Sequence, residues 1–192
     1  MNTKTTTIDE STLIKQTKNW LNEIIIGLNF CPFAKREVLK NSIRYTINNS
    51  AELESSLYAL ADELQYLDAH SECETSLFIC PQGFNDFDEF LNLIELADQL
   101  IDDLNYRSVY QLAHFHPDYC FDGVDQDDAS NYTNRSPYPT LHILRESSLQ
   151  SAIARHPDTS AIPETNIALA RDKGSAKMQQ MLNLCLEIEK ED

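Results

Sequence analysis

The sequence has no run of about 18 apolar residues, the length that a helix needs to cross a bilayer. Its N-terminus, MNTKTTTIDES, is polar and rich in threonine, and it has no apolar signal core. Repeats and low-complexity tracts are missing as well. These absences argue against a membrane protein or a secreted precursor, and they predict a cytoplasmic globular protein.

Positive charge is scarce. The chain carries 15 Lys and Arg against 31 Asp and Glu, which gives a formal net charge of -16. A field of that sign repels nucleic acid phosphates and anionic lipids. The short basic stretches, KRE at Lys35 and ARDKGSAK near Arg171, contain acids of their own. We therefore expect neither a nucleic acid nor a membrane partner.

The cysteines are few, odd in number and scattered, and no C-x-x-C pair occurs among them. This pattern excludes a disulfide framework and a thiolate zinc site of the usual spacing. Reduced thiols are expected at all five positions: Cys31, Cys73, Cys80, Cys120 and Cys185.

Length and composition predict one domain. A chain of 192 residues can bury a sizeable hydrophobic core without disulfide bonds. Its content of 42% hydrophobic and 24% charged residues is typical of globular proteins. We expect residues 1–11 to form a flexible tail and residues 12–192 to form a single globular domain.

Four short segments rich in β-forming residues alternate with helical segments. SLFICP is continuously apolar, which is typical of a strand covered on both faces. The strands are predicted over residues 43–48, 76–81, 108–116 and 140–145. Strand-helix-strand alternation favours parallel neighbours. We predict an α+β or α/β fold with a mixed sheet of about four strands, helices packed on it, and helices at both chain termini.

The helical segments show apolar stripes and end signals. Residues 13–28 carry one apolar face, and Asn29 is a plausible left-handed stop. Asn49 and Asp86 each precede a stripe, with an acid three positions on, and are predicted N-caps. The stripe after Asp86 is broader than one face requires. It indicates either deep burial or a homodimer interface.

HFHPDYCFDG contains the first candidate site. Alternation along the predicted strand places His114 and His116 on one face, and His142 on the next strand could join them. Three imidazoles, with an acid such as Asp118 or Asp122, suit zinc or iron. The alternative is that His114 is an ordinary strand residue and His116 orders the following turn.

The loop over residues 117–139 is longer than a compact domain usually carries without a reason. It ends in NRSPYP, where Asn134, Arg135 and Ser136 are stiffened by prolines. A guanidinium can hold a carboxylate or phosphate with two parallel hydrogen bonds. The alternative is that Arg135 forms an ion pair with Asp127 or Asp128, or caps free carbonyls. Arg145, at the far end of the last strand, would make either a separate anion site or only a helix-end contact.

NFCPFAK contains Cys31 in the turn after the first helix. A cysteine becomes a nucleophile when a base or a positive charge lowers its pKa. Lys35 or Arg36 is near in sequence, and His116 could be near in space. The alternative is a small buried apolar residue that closes the turn.

Together, LNFCPFA, FHPDYCF, NYTNRSPYPTLHILRE and IPETN resemble a family of uncharacterised bacterial proteins, domain of unknown function 1415. The resemblance spans about residues 21–174. It implies a single-domain cytosolic bacterial protein but no activity. The family pattern does not include His114, which counts against the three-histidine site. Its positions here include Cys31, His116, Asn134, Arg135, His142 and Arg145.

Three functions remain open. The first is binding of a small anionic metabolite, or an enzymatic reaction on it. Its catalytic candidates are Cys31, His116 and Asp118, and its ligand-binding candidates are Asn134, Arg135, Ser136, His142 and Arg145. The second is a non-catalytic structural or interaction module that forms a homodimer. The third is a metal site built from His114, His116 and His142. No cofactor is indicated.

Overall fold

The computed structural model of the protein describes residues 8–155 and 158–187. Residues 1–7 of the predicted tail lie outside the described residues, and the first helix begins at Glu10. In the described part of the chain the α-helices are α1 (Glu10–Trp20), α2 (Ala34–Lys40), α3 (Leu53–Ala69), α4 (Phe87–Asp103), α5 (Glu146–Arg155), α6 (Ile162–Lys173) and α7 (Ser175–Leu186).

Four strands form one mixed sheet in the order β1-β2-β4-β3, which confirms the predicted fold class. The strands are β1 (Ile43–Ile47), β2 (Thr75–Ile79), β3 (Tyr110–Phe115) and β4 (Thr140–Arg145). As the alternation predicted, β1 and β2 are parallel. β3 is not the neighbour of β2, because β4 lies between them and is antiparallel to both. The long loop between β3 and β4 allows the chain to reverse direction and place β4 between β2 and β3.

Helices α3 and α4 cover one face of the sheet. Phe78, Leu141 and Ile143 project from the sheet into a fully buried cluster with both helices. The broad apolar face of α4 is only partly buried. One stripe of it packs into this cluster, whereas Leu91 is 42% exposed. Burial therefore accounts for the stripe Phe90, Leu93, Ala97 and Ile101.

The helices near the two ends of the chain pack together at the other face. Trp20 is 1% exposed and packs edge-on against Phe115 of β3. Its indole N–H donates a hydrogen bond to the carbonyl of Arg135 at 2.9 Å, which fixes α1 against the long loop. The apolar cluster around it also contains Leu21, Ile24, Ile25, Phe30, Tyr132, Ala170, Met178, Leu182 and Cys185.

Most end signals are found where the sequence predicts them. Asn29 has a left-handed backbone with φ 57°, and the carboxylate of Asp86 accepts the N–H groups of Asp88 and Glu89. The predicted cap at Asn49 is wrong. Helix α3 starts later, at Leu53, and the side chain of Asn49 donates to Glu10 instead. None of the described helices is long and apolar enough to cross a bilayer.

Candidate ligand-binding site

A pocket of about 450 Å³ lies on the sheet face opposite α3 and α4. Its floor is formed by residues that alternate with the core residues of β2, β3 and β4. Side chains of α1 and of the π-helical turn after it (Leu21–Ile26) form one wall, α2 forms another, and α5 lies across the pocket. A concave, mostly apolar space of this size suits a small molecule.

The strand register places His142 in the middle of this floor. On β2 its partner is Leu77, and on β3 its partner is Ala113. Both partners also line the pocket. Because alanine has only a methyl side chain, the space beside the imidazole stays open. His142 therefore lies partly exposed in an apolar setting.

A hydrogen-bond relay fixes the tautomer of His142. The hydroxyl of Thr75 donates its one proton to the carbonyl of Ile143 at 2.5 Å. It must therefore accept the bond that joins it to Nε2 of His142 at 2.8 Å, so we assign the proton of the neutral ring to Nε2. Nδ1 then carries a lone pair, and no group in the described part of the chain hydrogen-bonds to it.

Burial determines the charge of this ring. The apolar surroundings disfavour an imidazolium and lower the pKa of His142 to about 4. At neutral pH the ring is therefore an uncharged hydrogen-bond acceptor.

Cys31 lies at the wall of the same pocket. Its backbone N–H donates to the carbonyl of Ile25 at the end of the π-helical turn, and Gly27 permits that close turn. A Cβ on Gly27 would lie 2.3 Å from the carbonyl oxygen of Glu23. Burial raises the pKa of the Cys31 thiol, and the backbone N–H groups of Phe33 and Ala34 offset part of that rise. Cys31 is thus a neutral thiol at physiological pH.

A second cavity of about 320 Å³ adjoins the first. Cys31, Ile25 and Phe115 line both, so the wall between the two spaces is built from these side chains. Asn134 and Asn166 supply polar groups in the second cavity, but their amides already donate to the carbonyls of His114 and Phe30.

Arginines line the main pocket although the protein is strongly acidic. Arg155 uses its Nε to bond the carbonyl of Ser151, and Arg36 uses its Nε to bond Glu37 at 2.6 Å. For both guanidiniums, no further partner of the terminal nitrogens is found among the described residues. Glu37 and Glu74 line the pocket too, so the cationic groups are interspersed with acids.

The structure does not bring His116 and Cys31 into one cavity. His116 is fully buried beside Phe87 and Phe90 of α4. Its Nε2 lies 2.9 Å from the carbonyl of Phe84, and its Nδ1 accepts the backbone N–H of Asp118 at 3.0 Å. Both ring nitrogens are therefore used within the fold, as in the turn-ordering alternative.

The strand register does not bring the three candidate metal-binding histidines together. Register pairs Ala113, not His114, with His142, so the side chains of His114 and His142 project from opposite faces of the sheet. His114 instead lies near Phe90 of α4. Among the residues that the structure describes, no group of three or more His, Cys, Asp or Glu side chains is placed to hold a metal ion.

The side chains of Arg135 and Ser136 in the NRSPYP segment bond backbone groups of their own loop. Arg135 is 8% exposed, donates to the carbonyls of Tyr119 and Gln126, and lies over the ring of Tyr132 at 4.5 Å. The Ser136 hydroxyl donates to the carbonyl of Tyr138. These contacts match the carbonyl-capping alternative, and the ion pair of Asp128 is made with Arg171 instead.

Arg145 lies at the far end of β4 from Arg135, as the antiparallel register requires. Its guanidinium donates to the carbonyl of Leu67 in the last turn of α3, to the carbonyls of His70 and Cys73 beyond that helix, and to the hydroxyl of Tyr110. Arg145 also borders the pocket, but its hydrogen bonds join α3 to the sheet.

Several pocket residues were not predicted from the sequence. Thr75 precedes the apolar run of β2 and looks like an ordinary strand residue until the register is known. Arg36 and Arg155 are exposed helix residues, and the sequence does not indicate that they face one space. Only a strand pairing could have identified Thr75 and Ala113 as neighbours of His142.

Comparison with known proteins finds the family described as "Protein of unknown function (DUF1415)", which matches residues 12–180. This match confirms the resemblance carried by the sequence motifs. No curated protein and no solved structure matches the chain.

Proposed function

The chain belongs to the DUF1415 family, whose description assigns no activity, and we propose from the site itself that it binds a small molecule with an apolar body and an anionic group. The observation that carries this proposal is the apolar pocket of about 450 Å³ with one neutral, accepting imidazole in its floor. Pockets with apolar walls and a few placed polar groups are the usual form of small-molecule sites.

The arginines support the anionic part of the proposal. In a chain with a net charge of -16, an anion needs a local cationic group to overcome repulsion. Arg36 and Arg155 provide such groups at the pocket, and their terminal nitrogens can form paired bonds to a carboxylate or phosphate. The apolar part of the ligand would lie against Trp20 and Phe115.

Catalysis is the second candidate, favoured by the presence of Cys31 and His142 in the lining of one pocket. The acid-base properties favour binding more. A base with a pKa of about 4 is poorly matched to proton transfer near neutrality, and a thiol whose pKa is raised is a weak nucleophile. Binding therefore needs fewer additional assumptions than a reaction.

The test is a panel of small carboxylates and phosphates with aryl or alkyl bodies, measured by thermal shift and by protection of Cys31 from alkylation. Ala152→Trp fills the pocket from α5, and Ile153→Trp, at a position 42% exposed on the same helix, is the matched control. We expect some panel members to raise the melting temperature of the wild type and of the Ile153→Trp control but not that of Ala152→Trp. Arg155→Ala should weaken the same members.

Two results would overturn the proposal. One is a panel in which no member stabilises the protein or slows alkylation, since a ligand of the native state must do so by linkage. The other is equal stabilisation of the wild type and Ala152→Trp, which would place binding elsewhere on the protein.

A further inference from the structure

We infer that the ligand presents a hydroxyl or N–H donor to Nδ1 of His142, and that Thr75 is the positioning residue that imposes this choice. This inference rests on the proposed binding function and specifies the buried end of the ligand.

The proton count of the relay carries the inference. A threonine hydroxyl has one proton, and the Thr75 hydroxyl donates it to the carbonyl oxygen of Ile143, 2.5 Å from its Oγ1. The 2.8 Å contact to His142 must then be donated by Nε2–H. Because Thr75 is 6% exposed, water has little access to rearrange this bond. Reversing the tautomer would require Thr75 to give up its bond to Ile143.

The surroundings of Nδ1 determine which ligand group suits it. The walls near His142 are apolar, and Phe115 lies with its ring centre 6.3 Å from that of the imidazole. A ligand that displaces water from Nδ1 without donating a hydrogen bond leaves an unpaired acceptor in an apolar space. Sites of this kind reject analogues that lack the matching polar group.

The two ends of the ligand are therefore different. A carboxylate or phosphate placed at Nδ1 would face a lone pair and find no donor there, so the anionic end belongs near Arg36 or Arg155. The donor end belongs at the sheet. This arrangement predicts an elongated molecule with a hydroxyl or N–H group at one end and an acid at the other.

The tautomer itself can be measured without a ligand. Long-range ¹H–¹⁵N correlation of the histidine rings distinguishes Nε2–H from Nδ1–H, and His142→Asn assigns the signals. We expect Nε2–H in the wild type and in Thr75→Ser, which keeps the hydroxyl. Thr75→Val should give a mixture of tautomers. An Nδ1–H ring in the wild type, or an unchanged ring in folded Thr75→Val, would overturn the role of Thr75.

Matched ligand pairs test the donor requirement. The probes are 4-hydroxyphenylacetate against 4-methoxyphenylacetate, and 6-hydroxyhexanoate against 6-methoxyhexanoate. We expect the hydroxyl member to bind about tenfold more tightly to the wild type and to Thr75→Ser, and expect Thr75→Val to lose most of this preference.

The outcomes separate the two proposals. Equal affinity of the hydroxyl and methoxy members overturns the donor requirement while leaving the binding function intact. Failure of every acid in the wider panel overturns the binding function, and the ring correlation on the free protein still decides whether Thr75 holds the tautomer.

Discussion

Ala113 on β3 is the register partner of His142 on β4, so the imidazole in the pocket floor has a methyl group beside it where most strand residues would place a larger side chain. The space that this small residue leaves is part of the pocket. The pairing of these two residues therefore connects the topology of the sheet with the candidate function.

Ala113→Leu should close the pocket at the floor. The added side chain would occupy the open space beside His142. We therefore expect the ligand-induced rise in melting temperature to be lost, with little change in the melting temperature of the free protein. Gln111→Leu, on the same face of the same strand but outside the pocket lining, is the control. Retained binding in Ala113→Leu would contradict the placement of the ligand.

His142 should make the protein sensitive to acid. Its pKa is about 4 in the folded state against an ordinary value of 6.5, so the unfolded chain takes up the proton first. The associated stability is fully present above pH 6.5 and is lost as the pH falls toward 4, by about 3 kcal/mol in total.

Urea unfolding of the wild type and of His142→Gln between pH 4.5 and 7.5 measures this contribution. The pKa values of His114 and His116 are also lowered by burial, so the variant should keep some pH dependence. The free energy of unfolding should therefore fall more steeply with falling pH in the wild type than in His142→Gln. Parallel stability curves would show that His142 does not contribute.

Arg135 should matter for stability rather than for ligand binding. Its guanidinium satisfies the carbonyls of Tyr119 and Gln126 from a position that is 8% exposed. Arg135→Met leaves those carbonyls without their donor, and we expect the free energy of unfolding to fall by about 1–3 kcal/mol. Ligand affinity measured well below the melting temperature should be unchanged. A stable variant with lost binding would contradict this role.

Cys31 should react slowly at neutral pH. Because burial raises the pKa of its thiol, the alkylation rate should keep increasing above about pH 8.5 without reaching a plateau. His116→Ala should leave this profile unchanged, since both ring nitrogens of His116 are bonded elsewhere. Mass spectrometry of each cysteine against pH provides the test. Fast alkylation at pH 7 that depends on His116 would restore the shared site that the sequence suggested.

The sequence was sufficient to predict the elements of the fold. Periodicity and cap residues located the four strands and most helices because these signals are local, as at Asn29 and Asp86. The predicted helix cap at Asn49 was wrong because an Asn side chain also forms hydrogen bonds in other local geometries. Here its amide donates to the carboxylate of Glu10. The order of β3 and β4 in the sheet is a long-range property, which no local pattern encodes.

The candidate site was less predictable for the same reason. His142 was singled out from its chemistry, but its proposed partners on β3 were one residue out of register. A shift of one residue moves a side chain to the other face of a sheet, which separates His114 from His142. The polar loop residues were conspicuous in the sequence, yet Arg135 bonds the carbonyls of Tyr119 and Gln126 in its own loop. The pocket itself depends on which helices meet the sheet.

The most direct measurement is a titration of the ¹⁵N-labelled histidine rings with 4-hydroxyphenylacetate and with the wider acid panel. We predict that the ¹⁵N signal of Nδ1 of His142 shifts saturably on binding, as expected for a nitrogen that gains a donor. His116, buried and bonded on both nitrogens, serves as the internal reference and should not move. If no acid in the panel shifts the His142 signals, or if all rings shift equally, the pocket above His142 is not the binding site.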